Sequence, residues 1–321
     1  FSAEPDREER LRVMTDANNA TELRRRPWHS NDLVDATVIY DDAAVFYNAG
    51  LRYRGSPWGR PERLSYRIRF PKDKRYLGGL TAINLSNRDR NDGPRLFMIR
   101  RMGTPAHPAP AADYRYITAS LNGRGLGMPG IFDPVDRKFM EKWYGAEATD
   151  HAVVLKGNGR FRFDDACQRT AWGQATLLHM DEYSENYRFY WFHSIHQTRD
   201  NWEPWMSLTK LLHETPDDEV DRTVNDRIDL DAFFRALGAR ILMVDWDALL
   251  IGNGHNGYMV WDPTDGRWEY LPFDLGAACG AAPRSLFNVS DRGLRRLMSR
   301  PIVARAYFRV LKEATNGYWD G

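Results

Sequence analysis

The sequence is short of the features that would fix its class at once. It has two cysteines, Cys167 and Cys279, in 321 residues. Two thiols cannot make a disulfide scaffold, nor a zinc site without other ligands, and the sequence leaves open whether they pair or stay free. No apolar run reaches the roughly 18 residues of a membrane-spanning helix, so no transmembrane segment is expected. A charge excess of either sign is missing as well. With 45 Lys and Arg against 44 Asp and Glu, the net charge is +1, which gives no basis for nucleic acid or an acidic membrane as partner. Phe1 opens a polar stretch, so no signal peptide is expected. A chain beginning without Met is expected to be trimmed or mature, which leaves secretion open. Internal repeats, low-complexity tracts and linkers are absent.

What is present suits a globular protein: 42% apolar and 28% charged residues. The length fits one large domain or two lobes sharing a cleft. The 11 Trp and 15 Tyr hint at stacking surfaces, although large aromatics mostly fill cores.

Residues 1–34 are polar, with a helix expected around 7–16. Strands are expected at 36–40, 44–53, 64–70 and 82–85, a helix at 95–102, and a strand at 114–121. That strand ends at Asn122-Gly123, a strong hairpin signal, with 125–131 as its return. A helix at 135–144 and an apolar strand at 152–156 follow. The second half has helical spacing at 186–197, 204–214 and 229–250, the last capped by Asp229 or Asp231. A hairpin pairs 258–260 with 268–270, turning at Asp265-Gly266, and helices fill 294–314. The fold class is therefore α+β. It reads as a single domain, β-rich to about residue 160 and helical from about 161 to 321.

The chemistry gathers in 245–276. Asp247 comes at the end of the clearest apolar helix and is the candidate for taking a hydroxyl proton. Asp245 is its rival, and on a helix the two would point to different faces. A loop of Gly252, Asn253, Gly254, His255, Asn256 and Gly257 follows. Its glycines let the backbone turn tightly and approach a ligand closely. An Asn side chain offers a neutral carbonyl oxygen that suits Mg²⁺. Asn256 is preferred to Asn253, although Asn253 lies nearer to the kinase spacing. His255 is read as bracing the loop. After the hairpin, Asp274 stands at a strand end before Leu275-Gly276, where a carboxylate is well placed for a metal. Each residue also has a plain reading: a cap or ion-pair partner, an Asn-Gly turn, a chance tripeptide. The order Asp, Asn, hairpin, Asp-x-Gly favours the other reading, because protein-kinase-like folds arrange phosphoryl transfer in that order.

In the first half, Arg54-Gly55-Ser56 can wrap phosphates with backbone N–H groups and a guanidinium. Arg67 and Arg69 share one face of a strand, which reads equally well as a solvated face. Lys156 ends an apolar strand and is the first choice for the lysine that holds nucleotide phosphates, with Arg67 second.

Taken together, these segments resemble the CotH kinase family, atypical protein kinases named for a spore-coat protein. Leu51-Arg52-Tyr53-Arg54-Gly55-Ser56 with 64–70 looks like the family's N-terminal signature. Residues 116–124 with Gly127 and Met128 look like its Asn-Gly segment. Val153-Val154-Leu155-Lys156 is similar to its lysine strand, and 247–256 followed by Leu271-Pro272-Phe273-Asp274 to its Asp, His-Asn, Pro-Trp-Asp signature. The resemblance implies a protein-kinase-like, two-lobed fold. It implies transfer of the ATP γ-phosphate, with Mg²⁺ or Mn²⁺, to Ser or Thr of a secreted or surface protein, and hence an extracellular or cell-surface location. Carried over, Asp247 is the catalytic Asp, and Asn256 and Asp274 hold metal. Gly254 and Gly276 support the two loops. Two departures stand out: Phe273 replaces a Trp and keeps an aromatic wall, and Ser56-Pro57 replaces a looser Asn-Ser pair, where the rigid Pro alters nucleotide contacts. Neither removes a catalytic group. Two other readings stay open: transfer of AMP from a flipped nucleotide, and a non-catalytic surface or coat module that binds protein or glycan through aromatics.

Overall fold

The computed structural model describes residues 9–27, 30–55, 65–87, 91–105, 107–158, 160–164, 166, 169–279, 285–287 and 289–317. The expectations placed on Ser56, Pro57 and Cys167 fall outside these residues. Contacts divide the chain into two units, Phe1–Gly93 with Ala112–Lys138, and Pro94–Ala111 with Phe139–Gly321.

The first unit is built on a nine-stranded sheet. Its strands are β1 (Arg10–Met14), β2 (Val34–Tyr40), β3 (Ala44–Tyr53), β4 (Tyr66–Arg69), β5 (Ala82–Ser86), β6 (Tyr114–Tyr116), β7 (Thr118–Leu121), β8 (Arg124–Gly127) and β9 (Gly130–Phe132). They lie in the order β6-β9-β5-β4-β3-β2-β1-β7-β8. Neighbours run antiparallel except β1 and β7, which are parallel. Alternation explains the packing. Leu11 and Val13 of β1, Tyr66 and Ile68 of β4, and Val38 of β2 point into one core with Phe46, Phe70 and Tyr76. The Phe70 and Tyr76 rings stack at 4.9 Å. Arg67 is half-buried and Arg69 exposed on the other face of β4.

Two expectations change here. Residues 10–14 form a strand instead of a helix, because Leu11 and Val13 alternate with charged neighbours at period two. The helix lies just after it, α1 (Ala17–Arg25), where the Asp16 carboxylate accepts from the Asn19 N–H. The run 114–121 breaks at Ile117, whose N–H donates to the Pro129 carbonyl, so β6 pairs with β9 and β7 with β1. Asn122 and Gly123 turn the β7–β8 hairpin with φ of 48° and 77°, the left-handed pair that matches strand twist.

The second unit holds most of the helices. After α2 (Asp92–Met102), which begins at the division between units, come α3 (Arg137–Tyr144), α4 (Ala146–His151), α5 (Ser184–Arg188), α6 (Glu203–Glu214), α7 (Asp217–Thr223), α8 (Leu230–Leu242), α9 (Arg292–Met298) and α10 (Pro301–Gly317). A four-stranded antiparallel sheet has the order β13-β10-β14-β15. It consists of β10 (Val153–Gly157), β13 (Trp191–His193), β14 (Gly257–Asp262) and β15 (Arg267–Pro272), and a separate two-stranded sheet pairs β11 (Arg160–Phe163) with β12 (Arg169–Gly173). The helix expected over 186–197 is a short α5 followed by β13. There Trp191 is fully buried, 4.4 Å from Trp205, which in turn meets Trp268 at 5.1 Å. Burying that indole against Trp205 outweighs the helical spacing of a short segment. Among the described residues no helix is long and apolar enough to cross a membrane.

Helix α8 is the spine of this unit. Nearly every residue from Leu230 to Ile241 is buried, including Arg235 and Arg240, so it is a core helix rather than an amphipathic one. Phe233 meets Tyr270 of β15, and Phe234 meets Tyr307 of α10. Asp229 is its cap, accepting from the N–H groups of Asp231 and Ala232.

Candidate active site

The site begins where α8 stops. The expected helix to residue 250 ends at Leu242. The Asp245 N–H donates to the Arg240 carbonyl and the Val244 N–H to the Ile241 carbonyl, while Val244 takes φ 52°. This is the glycine-type helix stop with a β-branched residue in the left-handed position. Such a conformation costs about 1–3 kcal/mol and persists only where surrounding contacts impose it. Its effect is to stop the helix and turn the chain just before Asp245.

That turn separates the two aspartates. Asp245 is fully buried and ion-paired with the Arg240 guanidinium, whose Nε lies 2.7 Å from its Oδ2. Asp247 keeps about a quarter of its side chain exposed and is ringed by donors. Asn253 Nδ2 donates to its Oδ1, Asn256 Nδ2 donates to its Oδ2 at 2.9 Å, and His255 Nε2 lies 3.1 Å from Oδ1. Burial by itself would raise the Asp247 pKa. The hydrogen bond and charge of His255, with help from Asn253 and Arg240, outweigh burial and hold the carboxyl below the usual carboxylate range. Asp247 is therefore ionised at neutral pH and able to take a proton.

A carboxylate only accepts, so both amides must turn their NH₂ groups toward it. The two asparagines then differ in what their oxygens do. Asn253 Oδ1 accepts from Gln174 Nε2 at 3.1 Å. Asn256 makes its side-chain hydrogen bonds through Nδ2, to the backbone and the carboxylate of Asp247, which leaves Oδ1 for a cation.

The glycines of this loop act through close approach. A Cβ on Gly252 would stand 1.7 Å from the Trp246 carbonyl oxygen, and one on Gly254 would stand 2.4 Å from both N and O of Ala175. In both cases the obstacle is backbone, which cannot swing away. Gly254→Ala is expected to lower stability by about 1–3 kcal/mol, the usual cost of overpacking. Chemical denaturation checks this, and an unchanged midpoint would contradict it.

Lys156, Asn256 and Asp274 lie toward one end of the β13-β10-β14-β15 sheet. Lys156 of β10 lies opposite Tyr258 of β14. Asn256 directly precedes β14, whose first residue, Gly257, pairs with Pro272 at the end of β15, two residues before Asp274. Lys156 Nζ is 5.2 Å from the centre of the Phe273 ring and 5.7 Å from the Phe192 and Tyr258 rings. Three faces attract the ammonium, and the aromatic wall expected of Phe273 is present. Leu275 is fully buried, and Gly276 is exposed in the turn after it. Cys279 carries a free, exposed thiol.

Arg54 and Arg67 belong to the first unit. The Arg54 guanidinium lies over the Phe132 ring at 4.4 Å, and Arg67 donates to Asn84 Oδ1 at 3.4 Å.

Asn256 and Asp274 both have left-handed backbones, with φ 60° and 54°. Among the described residues no cluster of three or more His, Cys, Asp or Glu is arranged for a metal. One carboxylate and one amide oxygen nonetheless suit Mg²⁺, which keeps waters and takes phosphate oxygens for its remaining positions. The donors present fit that group.

Sequence reasoning passed over Arg240 and the ring cage around Lys156. The signal for the first was an arginine inside the apolar run Ala236-Leu237-Gly238-Ala239-Arg240-Ile241.

A cleft of about 430 Å³ lies elsewhere in the second unit, lined in part by His107, Asp229, Asp231, Arg267, Arg305 and Arg309. Its carboxylates are already matched, Asp229 by Arg267 and His107, and Asp231 by Arg235 and Arg309. The charges compensate one another at the head of α8, so it is not read as the reaction site. Its neighbour Glu269 accepts from the Tyr144 hydroxyl at 2.8 Å. Burial, aided by the charges of Asp229, Asp262 and Asp265, pushes the Glu269 carboxyl up to about 7 from 4.5, against the pull of the Tyr144 hydrogen bond. The folded state then holds a proton that the unfolded chain releases. Stability from this group is full below about 4.5 and falls as pH rises to about 7. Glu269→Gln should remove about 2 kcal/mol of that fall. Unfolding free energies at pH 5 and pH 7.5 check this, and equal slopes for the two proteins would refute it.

Comparison with known proteins bears on the whole arrangement. A search among curated proteins finds no match. The family model described as CotH kinase protein matches residues 51–315, from β3 into α10 and across Lys156, Asp247, Asn256 and Asp274. On a match over nearly its whole length, the chain belongs to the CotH kinase family.

Proposed function

We propose that this chain moves the γ-phosphoryl group of ATP to a serine or threonine hydroxyl of a protein, with Mg²⁺ or Mn²⁺ bound. Membership of the family points to a kinase. The observation that carries the finer reading is the environment of Asp247: an ionised, partly exposed carboxylate fixed by Asn253, His255 and Asn256.

Asp247 would orient the acceptor hydroxyl and take its proton as the oxygen bonds to phosphorus and the β,γ-bridging oxygen leaves with ADP. Lys156 would hold phosphate oxygens with an ammonium set among three rings. Asn256 Oδ1 and the Asp274 carboxylate would hold the metal, which when bound neutralises charge on the phosphates. The contribution of the chain is mostly positioning and fixed charge. The proposal assigns Arg54 and Arg67 no step. The secreted or surface location of the acceptor rests on family resemblance alone.

Incubation with γ-labelled ATP, Mg²⁺ and a generic Ser/Thr-rich protein, followed by acid hydrolysis, tests the reading. Labelled phosphoserine or phosphothreonine is expected. Absence of label with either metal would end it.

A further inference from the structure

Arg240 has no exposed surface, and its hydrogen bonds converge on the site. Nε and Nη2 donate to Asp245 Oδ2. Nη2 also donates to the Asp274 carbonyl at 3.0 Å. Nη1 donates to the Asn256 carbonyl and reaches the Phe273 carbonyl and the Tyr270 hydroxyl, each at 3.2 Å. One planar fork therefore gathers Asp245, two residues before Asp247, together with the backbones of Asn256 and Asp274.

Those two backbones are both left-handed. A left-handed residue needs outside contacts to hold it, even when Asn or Asp tolerates the conformation. The guanidinium supplies such a contact at each carbonyl. The Phe273 N–H adds another to the Asn256 carbonyl at 3.3 Å.

We infer that Arg240 is a positioning residue: through Asp245 and the carbonyls of Asn256, Phe273 and Asp274, its guanidinium sets the spacing of the proton-accepting and metal-holding side chains. This rests on the proposed function for what those side chains do, but the clamp itself is a property of the fold. Lysine could replace the charge and pair with Asp245. It has no planar fork with which to reach acceptors on three segments at once.

The test uses the full chain with Arg240→Lys and, because a buried arginine is hard to replace, also Asp245→Asn, which keeps an oxygen facing the fork but weakens its hold. Two readouts are taken. Amide hydrogen exchange should accelerate in 253–258 and 272–277 of each folded variant, well beyond the rest of the unit. In the transfer assay, Arg240→Lys should raise the metal concentration for half-maximal rate about 10–100-fold, the usual cost of losing an outer-shell partner, and leave KM for the protein acceptor within about twofold. Asp245→Asn should move both readouts the same way by less. Unchanged exchange in both segments overturns the inference, as does a rise in acceptor KM with unchanged metal dependence. If wild type transfers no phosphate, the functional reading fails, and exchange alone still decides whether the clamp exists.

Discussion

Asp247→Asn is expected to lower phosphoryl transfer by about 10²–10⁴-fold, the range for loss of a positioned general base. The substitution keeps the shape and removes the charge. It also turns an NH₂ toward donors that need an acceptor, since both oxygens of Asp247 are occupied by Asn253, His255 and Asn256. That conflict should cost about 1–2 kcal/mol of stability. The variant keeps Asn256 and Asp274, so a metal-dependent thermal shift with ATP should survive. Loss of turnover with retained nucleotide binding is the signature of a residue acting on the acceptor. Single-turnover rates with the thermal shift measured alongside check it, and a variant within threefold of wild type would remove Asp247 from the chemistry.

The second large effect lies at Asp274. Asparagine is the informative replacement, because it tolerates the φ of 54° at this position where alanine would add a backbone penalty. Asp274→Asn should therefore fold without an added backbone penalty at this position. In wild type, Mg²⁺ and ATP at a hundred times Kd should add about 2.7 kcal/mol of stability. In the variant that increment should vanish at the same concentrations, and turnover should fall to background. The two aspartates thus separate: position 247 loses rate and keeps binding, position 274 loses both. Calorimetric unfolding with and without metal and nucleotide measures the difference. A full shift in Asp274→Asn would take this carboxylate out of the metal site.

Much of the fold was legible because it is written locally. The β3 strand, the Asn122-Gly123 turn, the β14–β15 hairpin and the Asp229 cap all follow from period, turn chemistry or capping within a few residues. What escaped depends on distant partners. Residues 191–193 are a strand because β10 offers an edge and Trp205 a surface. The end of α8 could not be placed because Val244, a residue ill-suited to a left-handed helix stop, is held there by the fold. The sequence put Asp247 ahead of Asp245 and Asn256 ahead of Asn253 but did not show how their surroundings differ. Each difference in surroundings rests on a partner far along the chain or around a tight turn: Arg240 for Asp245 and Gln174 for Asn253. Arg240 itself drew no reading from the sequence, and only its assembled partners reveal what it holds.

The most direct test is label transfer from ATP carrying ³²P at the γ or the α position, with Mg²⁺ and a Ser/Thr-rich acceptor, in wild type and Asp274→Asn side by side. The expected result is incorporation of the γ label by wild type alone, with no α label in either protein. Equal background incorporation by wild type and variant would contradict the kinase proposal, and incorporation of the α label would replace phosphoryl transfer with transfer of AMP.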